Sequence, residues 1–267
     1  MALALDRVMN SLRRKLIFGF ALILLAGAGF NMYWQRPTDD LYLVLNIPAS
    51  RIDVFENGER TRSIDVSAGR RGFETPRGQY RISSVTWNPW WHPPKSHWAR
   101  NEKPTPPGPN NPMGRVKINF GPLLYIHGTP YEDWLGAPAS HGCVRMGKDD
   151  LFELAKLIHR YRSPRVGSEM LASLESNSRL TRNIPVRPIR FEVVYRLVEV
   201  VDGQLLIHPD VYRSGSSSLR DQIVGVLKKQ GVNITDGVEQ RIAQISKRRV
   251  ATRLSVPLDT LLSDAGE

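Results

Sequence analysis

Two short stretches in the middle of the chain combine a thiol with imidazoles. Residues 123–130 contain His127, and residues 140–146 contain His141 and Cys143, which is the only cysteine in the chain. A thiol attacks as its thiolate, and a nearby imidazole is the usual means of forming a thiolate at neutral pH. The pattern predicts nucleophilic catalysis, with Cys143 as the nucleophile and His127, delivered by a neighbouring strand, as the candidate base.

The residues beside Cys143 support this interpretation and leave one alternative open. His141 precedes Cys143 by two residues, so an extended segment places both side chains on one face. Gly142 lets the backbone approach a substrate closely, and an N–H group beside the nucleophile is what an oxyanion hole requires. The alternative is a zinc site, because His127, His141 and Cys143 supply two imidazoles and one thiolate with an open fourth position.

The order of these residues resembles the signature of the L,D-transpeptidases, the YkuD or ErfK family. That signature is a His-Gly pair, a gap, and then Ser/Thr-His-Gly-Cys-hydrophobic-Arg. Here the pair is His127-Gly128, and residues 140–145 read Ser-His-Gly-Cys-Val-Arg. Residues 69–78, 88–94 and 107–114 resemble three further family segments in the same order. The resemblance is strong over about residues 40–160 and weaker to about residue 213.

The resemblance implies a mainly β fold with a β-sandwich-like catalytic domain and a helix after the cysteine motif. It also implies acyl transfer on peptidoglycan through a thioester on Cys143. The donor would be a tetrapeptide stem that is cut between its third residue, diaminopimelate, and its terminal D-Ala. No cofactor and no metal are expected. An L,D-carboxypeptidase or another cell-wall hydrolase is the alternative, followed by a zinc amidase and a catalytically inactive wall-binding protein.

The resemblance assigns roles within the two stretches. Cys143 is the expected nucleophile and His127 the expected base, with the Gly128 carbonyl in place of a triad carboxylate. Supporting and oxyanion roles go to four residues: Gly128, Ser140, His141 and Gly142. Arg145 is expected to bind a substrate carboxylate through two hydrogen bonds. An internal salt bridge that fixes the cysteine loop is an equal alternative for Arg145.

The expected partners are peptidoglycan stem peptides and an amine that resolves the thioester. The acceptor could be a side-chain amine of another stem, a lipoprotein lysine or a free D-amino acid, and the sequence does not distinguish them. The formal net charge of +11 over 267 residues favours an anionic partner. Nucleic acid is not expected, because the sequence contains no motif for binding it.

The first 36 residues have the pattern of an export segment. Four basic side chains within residues 7–15 precede an apolar run over residues 16–30, and Tyr33 and Trp34 follow. We expect an uncleaved membrane anchor, with the aromatic pair at the outer interface, rather than a signal cleaved near residues 26–28. The catalytic domain would then lie outside the cytoplasm at the bacterial inner membrane, in the periplasm or at the cell wall.

The rest of the chain divides by pattern into a catalytic domain over residues 37–213 and a helical extension over residues 214–267. Tight hairpin turns are predicted at Asn57-Gly58 and Asp202-Gly203. The Pro- and Trp-rich residues 88–112 form a long loop, which we interpret as a lid or wall over the site. A helix with an Asp150–Glu153 capping box follows the cysteine motif.

Overall fold

The structure is a computed structural model that describes residues 40–215 and 217–263. The export segment predicted over residues 1–36 therefore lies outside the described residues. Within the part that is described, no helix combines the length and the apolar character that crossing a bilayer requires.

Eight strands form a single sheet that closes into a barrel. They are β1 (Leu41–Asn46), β2 (Arg51–Glu56), β3 (Glu59–Ser67), β4 (Gly78–Trp87), β5 (Val116–Gly121), β6 (Leu124–His127), β7 (Val144–Met146) and β8 (Arg182–Val194). The order around the barrel is β1-β2-β3-β7-β6-β5-β4-β8, and β8 returns to β1. The mainly β prediction is confirmed. The sandwich-like arrangement is corrected, because β8 pairs with both β4 and β1 and so closes the sheet on itself.

The barrel interior is filled by alternate side chains of each strand. In β5, Val116, Ile118 and Phe120 are buried, whereas the residues between them are only partly buried. Each such side chain stabilises the fold by about 1.5–3 kcal/mol when it is removed from water. Because strand side chains alternate between two faces, the partly buried positions lie on the outer face.

The strand connections agree with local sequence signals in one case and override them in another. Asn57 and Gly58 both have positive φ, 53° and 88°, as a type I′ hairpin turn requires. β8 contains Pro185 and Pro188, and proline is disfavoured in a strand that is paired on both sides. β1 pairs only with residues 190–194 of β8. The prolines therefore lie where β8 has β4 as its only strand partner.

Two helices follow the cysteine motif, α1 (Lys148–Arg162) and α2 (Ser168–Ser176). The predicted Asp150–Glu153 capping box is wrong, since Gly147 is the N-cap and caps with no side chain. Instead, the first N–H group of α1 donates to the Glu132 carboxylate at 2.8 Å. The apolar face of α1 joins the main core, as its periodicity predicted.

A second, smaller core follows the barrel. It contains β9 (Val198–Val201), β10 (Gln204–Ile207), β11 (Leu254–Pro257), α3 (Leu219–Lys229), α4 (Asp236–Ser246) and α5 (Leu258–Leu262). The sequence predicted α3 and α4 but missed β11. The turn at Asp202-Gly203 is present, and the structure places its hairpin in this second core rather than in the barrel. The domain boundary at residue 213 stays a prediction.

Candidate active site

Three neighbouring barrel strands place a row of polar side chains on the face opposite the core. Lys117 in β5 pairs with His127 in β6, and His127 pairs with Arg145 in β7. Their neighbours Ile126 and Val144 are fully buried in the core. Because strand side chains alternate, Lys117, His127 and Arg145 share the outer face.

Cys143 lies on this same face, one position before β7. It immediately precedes Val144, which pairs with Ile126, so Cys143 is beside Tyr125 and diagonal to His127. Its Sγ atom lies 3.6 Å from the carbonyl oxygen of Leu123, to which the thiol donates. The fold therefore brings together the two residues that the sequence assigned to nucleophile and base.

The imidazole of His127 is held in one tautomer. Its Nδ1 atom lies 2.6 Å from the carbonyl oxygen of Gly128, which only accepts hydrogen bonds, so Nδ1 carries the proton and Nε2 the lone pair. Burial, with Arg145 and Lys117 as smaller causes, lowers the pKa of His127 to about 4. His127 is therefore a neutral base at pH 7, and the expected hydrogen bond to Gly128 is present.

The thiol is neutral at rest. Burial raises the pKa of Cys143, and this effect exceeds the opposing effects of the Tyr125 N–H group, Arg145 and Lys117. A raised thiol pKa beside a lowered imidazole pKa favours the neutral thiol and imidazole over a thiolate–imidazolium pair in this structure.

Ser140 folds the cysteine loop onto itself. Its hydroxyl donates to the Cys143 carbonyl and accepts the Gly142 N–H at 3.1 Å. The N–H group of Gly142, which was expected in the oxyanion hole, is therefore engaged by Ser140 in this structure. It becomes available to an oxyanion only if that hydrogen bond is released.

Thr75 connects the loop to the segment over residues 69–78. Its hydroxyl donates to the Gly142 carbonyl at 2.9 Å and accepts the Gly69 N–H at 2.8 Å. The Arg70 N–H donates to the Ser140 carbonyl at 3.0 Å. The segment resembles the family pattern, but the sequence indicates no role for Thr75, because its partners are distant along the chain.

His141 is held between two aromatic rings rather than directed at a hydrogen-bond partner. Trp98 stacks on it with ring centroids 4.2 Å apart, and the edge contact to Phe73 has a centroid distance of 4.7 Å. Burial, with Arg70 and Arg145 as smaller causes, lowers the pKa of His141. Trp98 belongs to the loop over residues 88–112, so that loop does reach the site.

Arg145 has an unsatisfied guanidinium. Its Nη1 atom is buried without a hydrogen-bond partner, and among the described residues Arg145 forms no ion pair. The guanidinium carbon lies 5.9 Å from the centre of the Trp134 ring. Of the two interpretations left open, the internal salt bridge is absent, which leaves the cation available to a ligand.

Comparison with known proteins agrees with this geometry. The sequence profile of the YkuD family, described as the L,D-transpeptidase catalytic domain, matches residues 40–171. Residues 40–171 are an L,D-transpeptidase catalytic domain. This transpeptidase domain contains Cys143, His127 and Arg145, together with every other residue that the sequence assigned to the site.

Individual relatives cover the domain and not the whole chain. The chain is 30% identical over 118 residues to the "Probable L,D-transpeptidase ErfK/SrfK" of Escherichia coli (strain K12), a match that covers 41% of this chain and 38% of the relative. It is also 30% identical over 118 residues to the "Probable L,D-transpeptidase YbiS" of the same strain, covering 41% of this chain and 39% of the relative. The chain thus spans well under half the length of these relatives.

Among solved structures, an L,D-transpeptidase from Mycobacterium smegmatis covers 58% of each chain. It is 18% identical to this chain, and the TM-score is 0.38.

Buried amides anchor the loop that borders the transpeptidase site. The side-chain amide of Asn88 donates to three carbonyls that follow or end α2, those of Leu174, Asn177 and Leu180. The amide of Asn111 donates to the carbonyls of Pro89, Thr105 and Pro106. Both asparagines are fully buried, and neither was predicted to have a role. For Asn111 the neighbouring prolines were an available signal, since proline-rich backbone leaves carbonyls without local partners.

The geometry does not support the zinc alternative. Over residues 40–215 and 217–263, no three side chains of the His, Cys, Asp and Glu types converge in a way that could hold a metal ion. His141 is instead packed between Phe73 and Trp98. The three residues considered as ligands therefore do not form a metal site in the transpeptidase domain.

Proposed function

We propose that this chain is a peptidoglycan L,D-transpeptidase that works by thiol acyl transfer. The observation that supports it most is a buried neutral imidazole, His127, whose Nε2 lone pair is on the same face as the only thiol. An unpaired guanidinium, that of Arg145, lies in the same row. This combination suits an acyl donor that ends in a carboxylate.

The first half-reaction forms a thioester. The Cys143 sulfur attacks the carbonyl carbon between the third residue of the stem and the terminal D-Ala, while the thiol proton passes to Nε2 of His127. The tetrahedral oxyanion is stabilised by backbone N–H groups at Cys143 and, if Ser140 releases it, Gly142. The C–N bond then breaks, and His127 returns the proton to the leaving amine of D-Ala.

The second half-reaction transfers the acyl group. An acceptor amine attacks the thioester carbonyl and loses a proton to His127, the C–S bond breaks, and the proton returns to the Cys143 sulfur. Arg145 holds the terminal carboxylate of the donor during the first half-reaction, while Gly128, His141 and Ser140 fix the imidazole and the loop. Water in place of the amine makes the same site an L,D-carboxypeptidase.

Mass spectrometry of the products tests this function. The purified protein is incubated with disaccharide-tetrapeptides, with and without an added D-amino acid, and Cys143→Ala is the control. Loss of D-Ala with a dimer or an exchanged stem supports transpeptidation. Loss of D-Ala with only a tripeptide indicates the carboxypeptidase. Separation of peptide from sugar, or turnover by the Cys143→Ala protein, contradicts the thiol mechanism.

We also propose that residues 1–36 direct the domain out of the cytoplasm and stay attached as an inner-membrane anchor. The basic cluster followed by an apolar run supports this. Cell fractionation with N-terminal sequencing tests it. An intact N-terminus in the membrane fraction is the expected result, whereas a mature N-terminus near residue 29 indicates a cleaved, secreted form.

A further inference from the structure

Two cations of the site, Lys117 and Arg145, lack an acidic partner among the described residues. Arg51, a buried cation outside the site, has two. Lys117 and Arg145 flank His127 in one row, and neither forms an ion pair among the described residues. By contrast, Arg51 is bound by Asp53 at 2.9 Å and by Glu199 at 2.8 Å. An unpaired, partly buried cation is costly unless a ligand compensates it.

Lys117 is held in place by an aromatic ring rather than by a charge. Its Nζ atom lies 4.6 Å from the centre of the Tyr125 ring. Tyr125 pairs with Asn119, the next residue of β5 after Lys117 on the outer face. A cation–π contact fixes the ammonium group but leaves its hydrogen-bond donors available. Lys117 therefore presents a positive charge beside the thiol, on the side of His127 opposite Arg145.

We propose that Lys117 and Arg145 together form a subsite for a donor stem with two free carboxylates. One is the carboxylate of the terminal D-Ala, and the other is on the side chain of the third residue. The two cations are two strand spacings apart, about 10 Å between backbones, and Cys143 lies on the same face two positions before Arg145. This proposal rests on the proposed function. It predicts that stems whose third-residue side-chain carboxylate is amidated are not preferred donors.

Paired donors test the subsite. D-Ala release is measured for two tetrapeptides that differ only in whether the third-residue side-chain carboxylate is free or amidated. For the unaltered protein we expect KM to be about tenfold lower with the free carboxylate, and Lys117→Gln should lose that preference, because one charged hydrogen bond is removed. Lys229→Gln, an exposed change of equal charge on α3, should keep it.

The outcomes separate this proposal from the proposed function. Equal KM values for both donors in the unaltered protein, or an unchanged preference in Lys117→Gln, would overturn the two-carboxylate subsite while D-Ala release continued. Absence of D-Ala release from either donor would overturn the proposed function itself, and the subsite with it.

A separate chain of hydrogen bonds connects the segment after β10 to the cysteine loop. Asp210 accepts the Tyr195 hydroxyl at 2.6 Å, and the Tyr195 oxygen accepts the Tyr212 N–H at 2.8 Å. The Tyr212 hydroxyl accepts the Thr75 N–H at 3.1 Å and donates to the Gly69 carbonyl at 2.6 Å. Thr75 in turn holds the Gly142 carbonyl.

The geometry points to Tyr212 as a positioning residue for the nucleophile. It lies beyond the residues that match the family profile, yet it fixes Thr75, one hydrogen bond away from the loop that carries Cys143. The Tyr212 hydroxyl both accepts from Thr75 and donates to Gly69. Its removal therefore releases the segment that holds the cysteine loop, and it leaves the barrel core closed. The C-terminal part of the chain thereby contributes to the proposed reaction.

Reactivity of the single thiol tests this role directly. With Tyr212→Phe we expect kcat to fall about tenfold at a nearly unchanged KM, since a positioning hydrogen bond is lost. We also expect the rate of Cys143 alkylation by iodoacetamide to change its pH dependence. Tyr161→Phe, which loses a hydroxyl hydrogen bond to Glu56 at 3.0 Å, is the matched control and should change neither. An unaltered kcat and alkylation profile in Tyr212→Phe would overturn the assignment.

Discussion

His127 and His159 are both buried histidines, and burial lowers the pKa of each to about 4. In His159, Nε2 accepts the indole N–H of Trp87 at 3.1 Å, and Nδ1 lies 3.3 Å from the Ser163 hydroxyl. In His127 only Nδ1 is engaged, by Gly128. Burial alone therefore makes an imidazole neutral, and His127 differs from His159 in that its Nε2 atom has no hydrogen-bond partner among the described residues.

Arg51 and Arg145 also differ in whether their polar groups have partners within the protein. Arg51 is satisfied by two carboxylates, and its ion pair with Glu199 joins the barrel to the second core. Arg145 has a buried nitrogen without a partner. In the site, the Arg145 guanidinium is therefore available to a ligand. Outside the site, Arg51 is satisfied by carboxylates of the protein itself.

The largest expected effect is a difference in activity between substitutions of His127 and of His159. We expect His127→Gln to lower kcat/KM by roughly 10²–10⁴-fold, since it removes a general base, while its melting temperature stays close to that of the unaltered protein. Steady-state D-Ala release and thermal unfolding measure the two quantities. His159→Leu should keep its activity at temperatures where it is folded, and comparable activity loss in both variants would contradict the comparison.

For the two arginines, substitution of the one outside the site should have the larger effect on stability. Arg51→Met leaves Asp53 and Glu199 without their cation, and we expect the free energy of unfolding to fall by about 3–5 kcal/mol. Arg145→Met breaks no ion pair and removes an uncompensated, partly buried cation, so it should not lower stability, and it should raise KM for the donor. Urea unfolding and donor titration measure these effects. A large stability loss in Arg145→Met would mean that the cation is structural.

Acid should destabilise the protein through both histidines. Each has a folded-state pKa of about 4 against an ordinary value of 6.5, so the unfolded chain binds more protons between these values. The free energy of unfolding should therefore fall as pH drops from about 6.5 to 4, by up to about 3 kcal/mol for each histidine.

The variant His159→Leu sharpens this expectation. It leaves the Trp87 indole N–H buried without an acceptor, at a cost of about 1–3 kcal/mol near pH 7. Because it also removes one of the two titrating groups, its stability deficit should shrink as pH falls through the same window. Denaturant unfolding at several pH values measures this, and a deficit that is constant with pH would contradict it.

The smallest expected effect concerns the acid limb of the rate profile. Because the pKa of His127 is lowered, its base form persists as pH falls, and kcat/KM should decline only near pH 4 rather than near 6.5. The rate profile of D-Ala release over pH 3.5–7.5, corrected for unfolding, measures this limb. An inflection near pH 6.5 would mean that His127 is more exposed to solvent than the structure places it.

Local signals in the sequence predicted much of this molecule. Asn57-Gly58 specifies its turn through its own backbone preference, and the cysteine motif identifies Cys143 and His127 through residue type and spacing. The first part of the long strand β8 was not predicted from the sequence. Pro185 is tolerated there because β8 has only one strand partner at that position.

Residues whose importance depends on distant pairing were not predictable in the same way. Lys117 is one charged residue in an apolar strand until the register of β5 and β6 places it beside His127. Tyr212 and Thr75 meet only because the chain returns to the barrel after β10. Asn88 is likewise defined by carbonyls of a helix far along the sequence.

The closure of the barrel has a consequence for the order in which the chain folds. β1, the first strand, finds its parallel partner only at the C-terminal end of β8. A ribosome delivers the N-terminus first, and pairings between distant segments are slow to form. One edge of β1 therefore stays unpaired until residue 194 has emerged, so the barrel cannot complete early in synthesis. Until then the unpaired edge of β1 is a place where non-native strand pairing can occur.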